Sequence, residues 1–494
     1  MREQLPALIV VVPLAAALLA PLVAYFSKTM VKLLTIMALL VANISAVTVL
    51  IQVLNEGTLN YHFGGWAPPW GIEYVYDPLS SIMAVLIAFV ALVVAIYAGP
   101  FLEKDAKFKT GIFYSLFLLL SVGLLGMMVT GDVFNLYVFL EISSLAGYAL
   151  IAAGGNRATV AAFRYLLIGT IGASFYLLGV GYLYGATGTL NMADLAEILV
   201  PLMDSSAVIV AIVMIVIGLG IKMAMFPLHG WQPDAYTYSH PAATALIAGV
   251  MAKVPAYAAL RFFFFVMVAS AGPVHKALQV MGLLAAAGII IGSIMAIAQK
   301  DFRRMLAYSS VAQIGYIIVG LAIGNSLALI GAVLHIINHA IMKSCLFLVA
   351  GGVKWRIGEH LVEKYKELNK KLPLTMGVLI IAALSMVGLP PTAGFFSKWY
   401  LVLGAIEEGM WFYVVIIILS SLLNAIYFFR ILENVYMKKS DQEVKDINSD
   451  GKFELPLQML VPIIVLGLGI LILGIFNEPL VSQIIQFAIP GGGQ

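Results

Sequence analysis

The sequence predicts an all-α integral membrane protein with about 14 transmembrane helices. Of its 494 residues, 62% are hydrophobic and only 11% are charged, and the mean hydropathy is +1.01. A soluble domain of this size carries about 25% charged residues, so most of the exterior is expected to face lipid. Apolar runs long enough to cross a bilayer recur along the whole chain, because a spanning helix needs about 20 apolar residues. The loops between them leave no room for a soluble catalytic domain.

The apolar runs begin directly after Gln4. This first run has no small-residue cleavage pattern, so we expect a spanning helix and not a removable signal peptide. The seventh run ends at Pro227 and the twelfth contains Pro390, and proline interrupts helices, so both helices are expected to be broken. The predicted spans are 5–25, 33–54, 79–98, 111–130, 133–153, 160–185, 207–226, 241–267, 277–298, 305–324, 327–350, 374–403, 410–430 and 457–476.

Basic residues alternate between the loops that separate these spans. The loops after odd-numbered spans hold 21 of the 28 Lys and Arg residues, whereas the even loops and both termini hold only Arg2, Arg261 and Lys276. Lys and Arg accumulate in cytoplasmic loops, which predicts that the odd loops are cytoplasmic and that both termini lie outside. The acidic residues of the outer loops, among them Glu73 and Asp77, are interpreted as solvated surface, with a cation-gathering rim as the alternative.

When Arg164, Arg261 and Arg430, which lie towards the ends of their spans, are counted with the adjoining loops, five charged residues remain inside the predicted spans. A charged side chain at the centre of a spanning helix costs about 2.5–3.5 kcal/mol even on the most lenient scale, and such residues usually mark an ion route. Two structural alternatives remain open at this point. A buried ion pair could lock the helices that carry the first two residues, and the last residue could extend its side chain to the interface. The five residues are Glu141, Lys222, Lys253, Lys343 and Lys398.

Two histidines share one helical stripe with Lys343. His335, His339 and Lys343 follow an i, i+4, i+8 spacing, which places them on one face over about 12 Å of helix axis. Imidazole titrates near neutral pH and can pass a proton between its two nitrogens, so the stripe suits a proton relay. Satisfied polar packing is the alternative, whereas histidines on a single stripe cannot clamp a haem from both sides. With Cys345 as the single cysteine, we expect no cofactor and no metal in this chain.

Five segments resemble the signature segments of antiporter-like membrane subunits. This family occurs in respiratory complex I, Mrp-type Na+/H+ antiporters and membrane-bound hydrogenases, and the resemblance covers about residues 75–430. The segments are GDVFNLYVFLEISSLAGYALI, IKMAMFPLHGWQPDAYTYSHPAATALIAGVMAKVPAY, QKDFRRMLAYSSVAQIGY, HIINHAIMKSCLF and GLPPTAGFFSKWYL.

The resemblance implies two inverted five-helix repeats, spans 4–8 and 9–13, within one membrane domain of residues 1–494. Spans 1–3 then occupy 1–110, the first repeat 111–267, the second repeat 277–430 and the last span 457–476. The resemblance also implies an ordered ion path: a coupled carboxylate–lysine pair, a connecting lysine, a histidine bridge with a neighbouring lysine, and a terminal lysine. These residues are Glu141 and Lys222, then Lys253, then His335 and His339 with Lys343, and finally Lys398.

The D-type subunit of Mrp antiporters fits the resemblance best, which implies proton translocation coupled to Na+/H+ exchange. The alternative is the pump module of a membrane-bound hydrogenase or complex I-like oxidoreductase, whose redox groups must lie on partner subunits. A purely structural scaffold is a third possibility, and whether the chain is part of an enzyme stays open. We expect partner membrane subunits, protons and lipid as contacts, with Na+ undecided and no nucleic acid, in a plasma membrane of prokaryotic type.

Overall fold

Helices make up most of the molecule. The computed structural model describes residues 4–103, 105–439 and 454–490. Among these residues, 12 helices are long and apolar enough to cross a membrane, which confirms an all-α integral membrane protein. Four of the basic residues used to predict the orientation lie outside the described residues, namely Arg2, Lys104, Lys445 and Lys452.

The amino-terminal part contains long helices and one hairpin. Polar residues begin several of the helices, as where Asp77 accepts from the amide of Ser80 at 2.8 Å and Asp132 from that of Asn135 at 2.6 Å. Such caps satisfy amides that have no partner within a helix. The elements are α1 (Leu5–Phe26), α2 (Lys28–Glu56), β1 (Leu59–His62), β2 (Glu73–Tyr76), α3 (Pro78–Tyr97), α4 (Gly99–Leu102), α5 (Lys107–Val129), α6 (Val133–Ala152), α7 (Asn156–Thr187) and α8 (Met192–Ile198).

The remaining helices include several short pieces. Two π-helical turns, Ile247–Met251 and Phe262–Val266, follow α11 and α12. The helices are α9 (Ser206–Lys222), α10 (Gln232–Tyr238), α11 (Pro241–Leu246), α12 (Lys253–Arg261), α13 (Gly272–Ile297), α14 (Phe302–Ile323), α15 (Ser326–Ile357), α16 (Leu368–Lys371), α17 (Pro373–Val387), α18 (Ala393–Glu407), α19 (Trp411–Tyr436), α20 (Leu457–Ile475) and α21 (Asn477–Leu480).

Both predicted helix breaks are present. The helix α9 ends at Lys222, four residues before the predicted end of its span, because Ala224 has a left-handed φ of 58°. In the other broken span, α17 ends at Val387. Gly388 follows with a φ of 93°, a conformation that glycine adopts without the steric cost of a side chain. The chain then resumes as α18.

The loops after even-numbered spans meet at one end of the molecule, which we call the hairpin end. There Asn191, before α8, donates to Glu73 of β2 at 2.7 Å, and Arg261 of α12 forms an ion pair with Asp77. The interpretation of Glu73 and Asp77 as solvated surface is therefore wrong, since Glu73 is only 7% exposed and both carboxylates have polar partners. The placement of Arg261 in an outer loop is also wrong, because it lies in the last turn of α12.

The loops after odd-numbered spans meet at the opposite end. Lys28 donates to the carbonyl of Glu103 at 2.9 Å, and Asp234 of α10 lies 3.0 Å from Arg304 at the start of α14. The helix α9 therefore enters from the hairpin end, and α10 completes that span at the opposite end. By contrast α17 enters from the opposite end, where the amide of Leu374 donates to Glu454 at 2.7 Å. The two half-helices that stop at the breaks thus point in opposite directions.

The helices α11, α12, α14 and α15 form the centre of the molecule. Their apolar windows are almost completely buried, whereas α1, α2, α7, α19 and α20 leave about half or more of theirs exposed. Large apolar side chains cover this exposed surface, as expected of helices that face lipid. All the intramembrane lysines and histidines selected from the sequence are buried in the interior of the molecule.

Candidate functional site

Lys222 forms an ion pair with Glu141 at the carboxyl end of α9. Its Nζ lies 3.1 Å from Oε1 of Glu141 and also donates to the hydroxyl oxygens of Ser144 at 2.7 Å and Tyr148 at 3.4 Å. The side chain of Lys222 is 2% exposed, whereas that of Glu141 is 22% exposed. The carboxyl end of a helix carries partial negative charge that also stabilises a cation. The pair therefore places a stabilised ammonium in the interior and its counter-charge nearer the surface.

Lys398 lies at the corresponding place in the second break. Its Nζ donates to the carbonyl oxygens of Met386 at 3.1 Å and Val387 at 3.0 Å and to the hydroxyl of Ser421 at 3.1 Å. These carbonyls end α17, so the ammonium caps the negative end of a half-helix. It also lies 5.2 Å from the ring centroid of Tyr316. Extension of Lys398 to the membrane interface is therefore wrong, since the side chain is buried and directed at the break.

Lys253 and Lys343 contact backbone carbonyls in the centre. Lys253 donates to the carbonyl of Ala248, which lies in a π-helical turn, and such turns disturb the regular hydrogen bonding of the helix. Lys343 of α15 donates to the carbonyl of Leu306 on α14 at 2.7 Å. Within the described residues neither lysine forms an ion pair.

The two histidines connect α15 with the neighbouring helices. Their rings are stacked with centroids 5.8 Å apart, as the i, i+4 spacing predicts. Nδ1 of His335 lies 2.9 Å from the hydroxyl of Ser397, and the ring of Tyr316 lies 5.2 Å from that of His335. Because Tyr316 also contacts Lys398, the contacts run without interruption from His339 through His335 to the second break.

Several polar atoms beside the histidines have no hydrogen-bond partner within the described residues. They are both ring nitrogens of His339, Nε2 of His335, Oδ1 of Asn338 and both amide atoms of Gln313. All four side chains are almost fully buried. Leaving such a group unsatisfied costs about 1–3 kcal/mol, and internal water ordinarily fills this need. The centre therefore holds a row of groups suited to binding water.

The structure connects the two ends of the predicted path more closely than its middle. Lys222 contacts Glu141, and His335 connects to Lys398 through Tyr316 and Ser397. No hydrogen bond among the described residues joins Lys222 to Lys253 or Lys253 to His339. The arrangement can hold protons at separate stations, and transfer between the stations needs water or side-chain movement. The role of each residue in conduction stays a prediction.

The hydroxyl groups that contact these lysines and histidines are not among the residues selected from the sequence. Ser144 and Tyr148 lie three and seven residues after Glu141 on the same helix, so helical spacing could have indicated them. Ser397 precedes Lys398 directly, but its partner His335 lies 62 residues away. Ser421 gives no comparable sign, because its contact with Lys398 depends on how α18 and α19 pack.

Comparison with known families and proteins gives a consistent result. Residues 130–424 match the family described as "NADH:quinone oxidoreductase/Mrp antiporter, TM", and residues 64–110 match "NADH-Ubiquinone oxidoreductase (complex I), chain 5 N-terminus". The first match contains the broken helices and every predicted path residue.

Three similar proteins belong to different complexes. NADH-quinone oxidoreductase subunit N of Desulforudis audaxviator is 55% identical over 99% of each chain. The D-type chain of the Na(+)/H(+) antiporter of Alkalihalophilus pseudofirmus is 31% identical over 89% of this chain and 87% of its own. A chain of the membrane-bound sulfane sulfur reductase, an archaeal respiratory membrane complex, superposes with a TM-score of 0.90 at 30% identity, covering 98% of this chain and 96% of that one.

Proposed function

This chain belongs to the family of membrane subunits shared by NADH:quinone oxidoreductases and Mrp antiporters, and we propose that it translocates protons as one subunit of a larger membrane complex. One observation carries the proposal. Lys222 is the last residue of the half-helix α9, the ammonium of Lys398 contacts the last carbonyls of the half-helix α17, and the two half-helices point in opposite directions. Half-helix ends at mid-membrane are typical ion sites of transport proteins.

Protons move along the order Glu141, Lys222, Lys253, the His335/His339 pair and Lys398, with Lys343 beside the histidines. A neighbouring carboxylate stabilises a buried ammonium, so movement of Glu141 away from Lys222 favours release of the proton from Lys222. The unpaired groups on α14 and α15 support water-mediated transfer in the middle of the path. The contacts of His335 and Tyr316 support the last transfer, towards Lys398.

The architecture we propose has fourteen spans, with inverted repeats over spans 4–8 and 9–13 and both termini outside. The two broken spans raise the 12 long helices to fourteen crossings. The opposite directions of α9 and α17 support the inversion. The loops after even-numbered and odd-numbered spans lie at opposite ends of the molecule, which supports fourteen crossings. The basic residues of the odd loops support a cytoplasmic location for the end opposite the hairpin.

The parent complex we propose is a redox-driven assembly in the plasma membrane. The support is the higher identity to the NADH-quinone oxidoreductase chain, 55%, than to the D-type antiporter chain, 31%, together with the fold likeness to the sulfane sulfur reductase complex. The second candidate is an Mrp D-like chain that takes part in Na+/H+ exchange, as predicted from the motifs. The 31% identity over most of both chains favours it.

The native complex reconstituted in vesicles tests both parts. We expect Lys222→Ala and Glu141→Ala each to reduce proton flux more than tenfold in assembled complex, whereas Lys276→Ala, an exposed lysine at the hairpin end, leaves it unchanged. Wild-type flux in either path variant would refute the proton path. Flux driven by reduced electron donor without Na+ indicates the redox assembly, and flux driven by a Na+ gradient alone indicates the exchanger.

A further inference from the structure

A row of polar side chains leads from the centre of the molecule to the hairpin end. Lys253 is the one residue that this row shares with the proposed proton path. Lys253, Tyr257 and Arg261 follow an i, i+4, i+8 spacing on one continuous helix, α12. This spacing places them on one stripe that rises about 12 Å along the axis. Lys253 and Tyr257 are fully buried, and Arg261 lies where the helix reaches the hairpin.

Arg261 closes the outer end of this stripe. Its Nη2 donates to the hydroxyl oxygen of Tyr257 and to Oδ1 of Asp77, both at 2.9 Å, while Nη1 donates to Oδ2 of the same carboxylate. Asp77 is held in place because it caps α3 through the amide of Ser80. A guanidinium stays protonated at every physiological pH. Arg261 can therefore act as a fixed charge that controls passage, but it cannot carry the proton itself.

Two cavities lie beyond Arg261, separated by a histidine–carboxylate pair. The inner cavity has a volume of about 200 Å³ and is lined by Arg261, Val75 and Glu73, among others. The outer cavity has a volume of about 600 Å³ and is lined by His62, and both cavities are partly open. Between them Nε2 of His62 lies 3.2 Å from Oε2 of Glu73, whose other oxygen accepts from Asn191. Both cavities exceed the volume that one water molecule occupies.

We propose that this row is a second outer opening of the proton path, serving Lys253. The inference rests on the proposed proton translocation. A proton from solution binds His62 and then passes from Nε2 to Oε2 of Glu73, which leaves a neutral imidazole and a neutral carboxyl group. From Glu73 it crosses the inner cavity by water and reaches Tyr257 and Lys253. Asp77 neutralises Arg261 and so lowers the electrostatic barrier at this gate.

The outer hairpin has a matching role in this arrangement. Strand β2 is fixed to the loop before α6, since the amide of Gly131 donates to the carbonyl of Glu73 at 3.1 Å. It is also fixed to the loop before α8 through Asn191. These contacts hold Glu73 between the cavities, so the hairpin forms the outer wall of the opening and positions its proton acceptor.

Cysteine labelling of the intact complex tests whether the opening exists and conducts. Val75→Cys places a thiol in the inner cavity, in a Cys345→Ser background that leaves no other cysteine in this chain. We expect a membrane-impermeant thiol reagent added from the hairpin side to modify Val75→Cys and to reduce proton flux at least twofold. Lys276→Cys, exposed at the same end, is the matched control: it should react and leave flux unchanged.

Substitutions of the acceptor separate this inference from the proposed function. Glu73→Gln keeps the size of the side chain and an oxygen for Asn191, so we expect normal assembly with at least a twofold loss of flux, and Glu73→Asp should restore part of it. Unreactive Val75→Cys beside reactive Lys276→Cys would overturn the inference. So would full flux after modification of Val75→Cys or in Glu73→Gln. If Lys222→Ala still abolishes flux in those cases, the proposed function stands and only the second opening fails.

Discussion

Neutralising Glu141 alone is expected to destabilise the protein more than neutralising Glu141 and Lys222 together. At the observed separation of 3.1 Å, an effective dielectric constant of about 20 gives an attraction of about 5 kcal/mol before desolvation is subtracted. Removing one partner of a buried pair costs about 3–5 kcal/mol because the other charge is left uncompensated, whereas replacing both by apolar groups is often neutral. The double variant should therefore be near the wild type.

The two single variants should differ because the two side chains differ in exposure. Lys222 is 2% exposed and Glu141 is 22% exposed, so an unpaired carboxylate can turn towards the surface, whereas an unpaired ammonium stays enclosed. Destabilisation is expected to be largest in Glu141→Gln, smaller in Lys222→Met and smallest in the double variant. In Glu141→Gln, Ser144 and Tyr148 keep their hydrogen bonds to Lys222. We therefore expect this variant to lose about 3 kcal/mol of stability, the lower end of the range for a broken buried pair.

Cys345 provides the assay. It is the single cysteine of the chain and is fully buried, so its modification by a thiol reagent requires the helices around it to open. The reaction is followed in purified complex, and the modified peptide is identified by mass spectrometry. When the opening equilibrium controls the rate, a loss of about 3 kcal/mol in the free energy of unfolding makes the modification of Cys345 about 100-fold faster. Lys276→Met, a change of the same type at an exposed position, should modify at the wild-type rate.

Two outcomes would refute this reasoning. If the double variant is as unstable as Glu141→Gln, the loss does not come from an uncompensated charge and the Coulomb estimate is wrong. If the double variant is stable and still conducts protons at the wild-type rate, Glu141 and Lys222 only lock α6 to α9. That result would favour the structural alternative over the proposed path for this pair.

Three further predictions concern the second break and the hairpin end. Gly388→Ala should destabilise the protein by about 1–2 kcal/mol and lower its melting temperature, because alanine resists the left-handed φ of 93°. Gly377→Ala within α17 is the control and should not lower the melting temperature, because the added carbon meets no neighbour within 4 Å. Lys398→Gln should assemble normally but reduce proton flux in vesicles more than tenfold, because its amide can still donate to a carbonyl of α17 but cannot carry a proton. Burial alone would raise the pKa of Asp77, but Arg261 and Ser80 outweigh it and hold the pKa below its ordinary value. The stabilisation by the Asp77–Arg261 pair is therefore complete above about pH 4 and is lost as the pH falls further. We expect the difference in melting temperature between wild type and Asp77→Asn to stay constant from about pH 8 to pH 5 and to shrink below about pH 4.

Local signals predicted the membrane helices and the breaks well. The apolar runs gave the spans, and Pro227 and Pro390 indicated where α9 and α17 cannot continue. The charged residues left inside the spans gave a set of buried lysines without any knowledge of packing. These inferences succeeded because the cost of burying charge or breaking a helix in lipid is large and belongs to single residues or short segments.

Contacts between distant segments could not be predicted in the same way. Arg261 and Asp77 are 184 residues apart, and counting Arg261 as a loop residue hid the fact that α12 extends to it. The hairpin of β1 and β2 lies in a segment that shows only loop composition, and its importance arises from contacts with Asn191 and Gly131. Such features depend on which loops meet at one end of the molecule, and that is a property of the packed fold.

The balance of charge in the interior indicates why separate lysines suit conduction. Glu141 is the one carboxylate paired with an intramembrane lysine among the described residues, so full protonation of Lys222, Lys253, Lys343 and Lys398 would leave three positive charges uncompensated. Each costs about 2.5–3.5 kcal/mol even on a lenient scale. The interior is therefore expected to hold fewer protons than it has lysines. A proton that arrives at one lysine then favours departure from the next, and removing one central charge by Lys343→Gln should slow this transfer while leaving the Glu141–Lys222 pair intact.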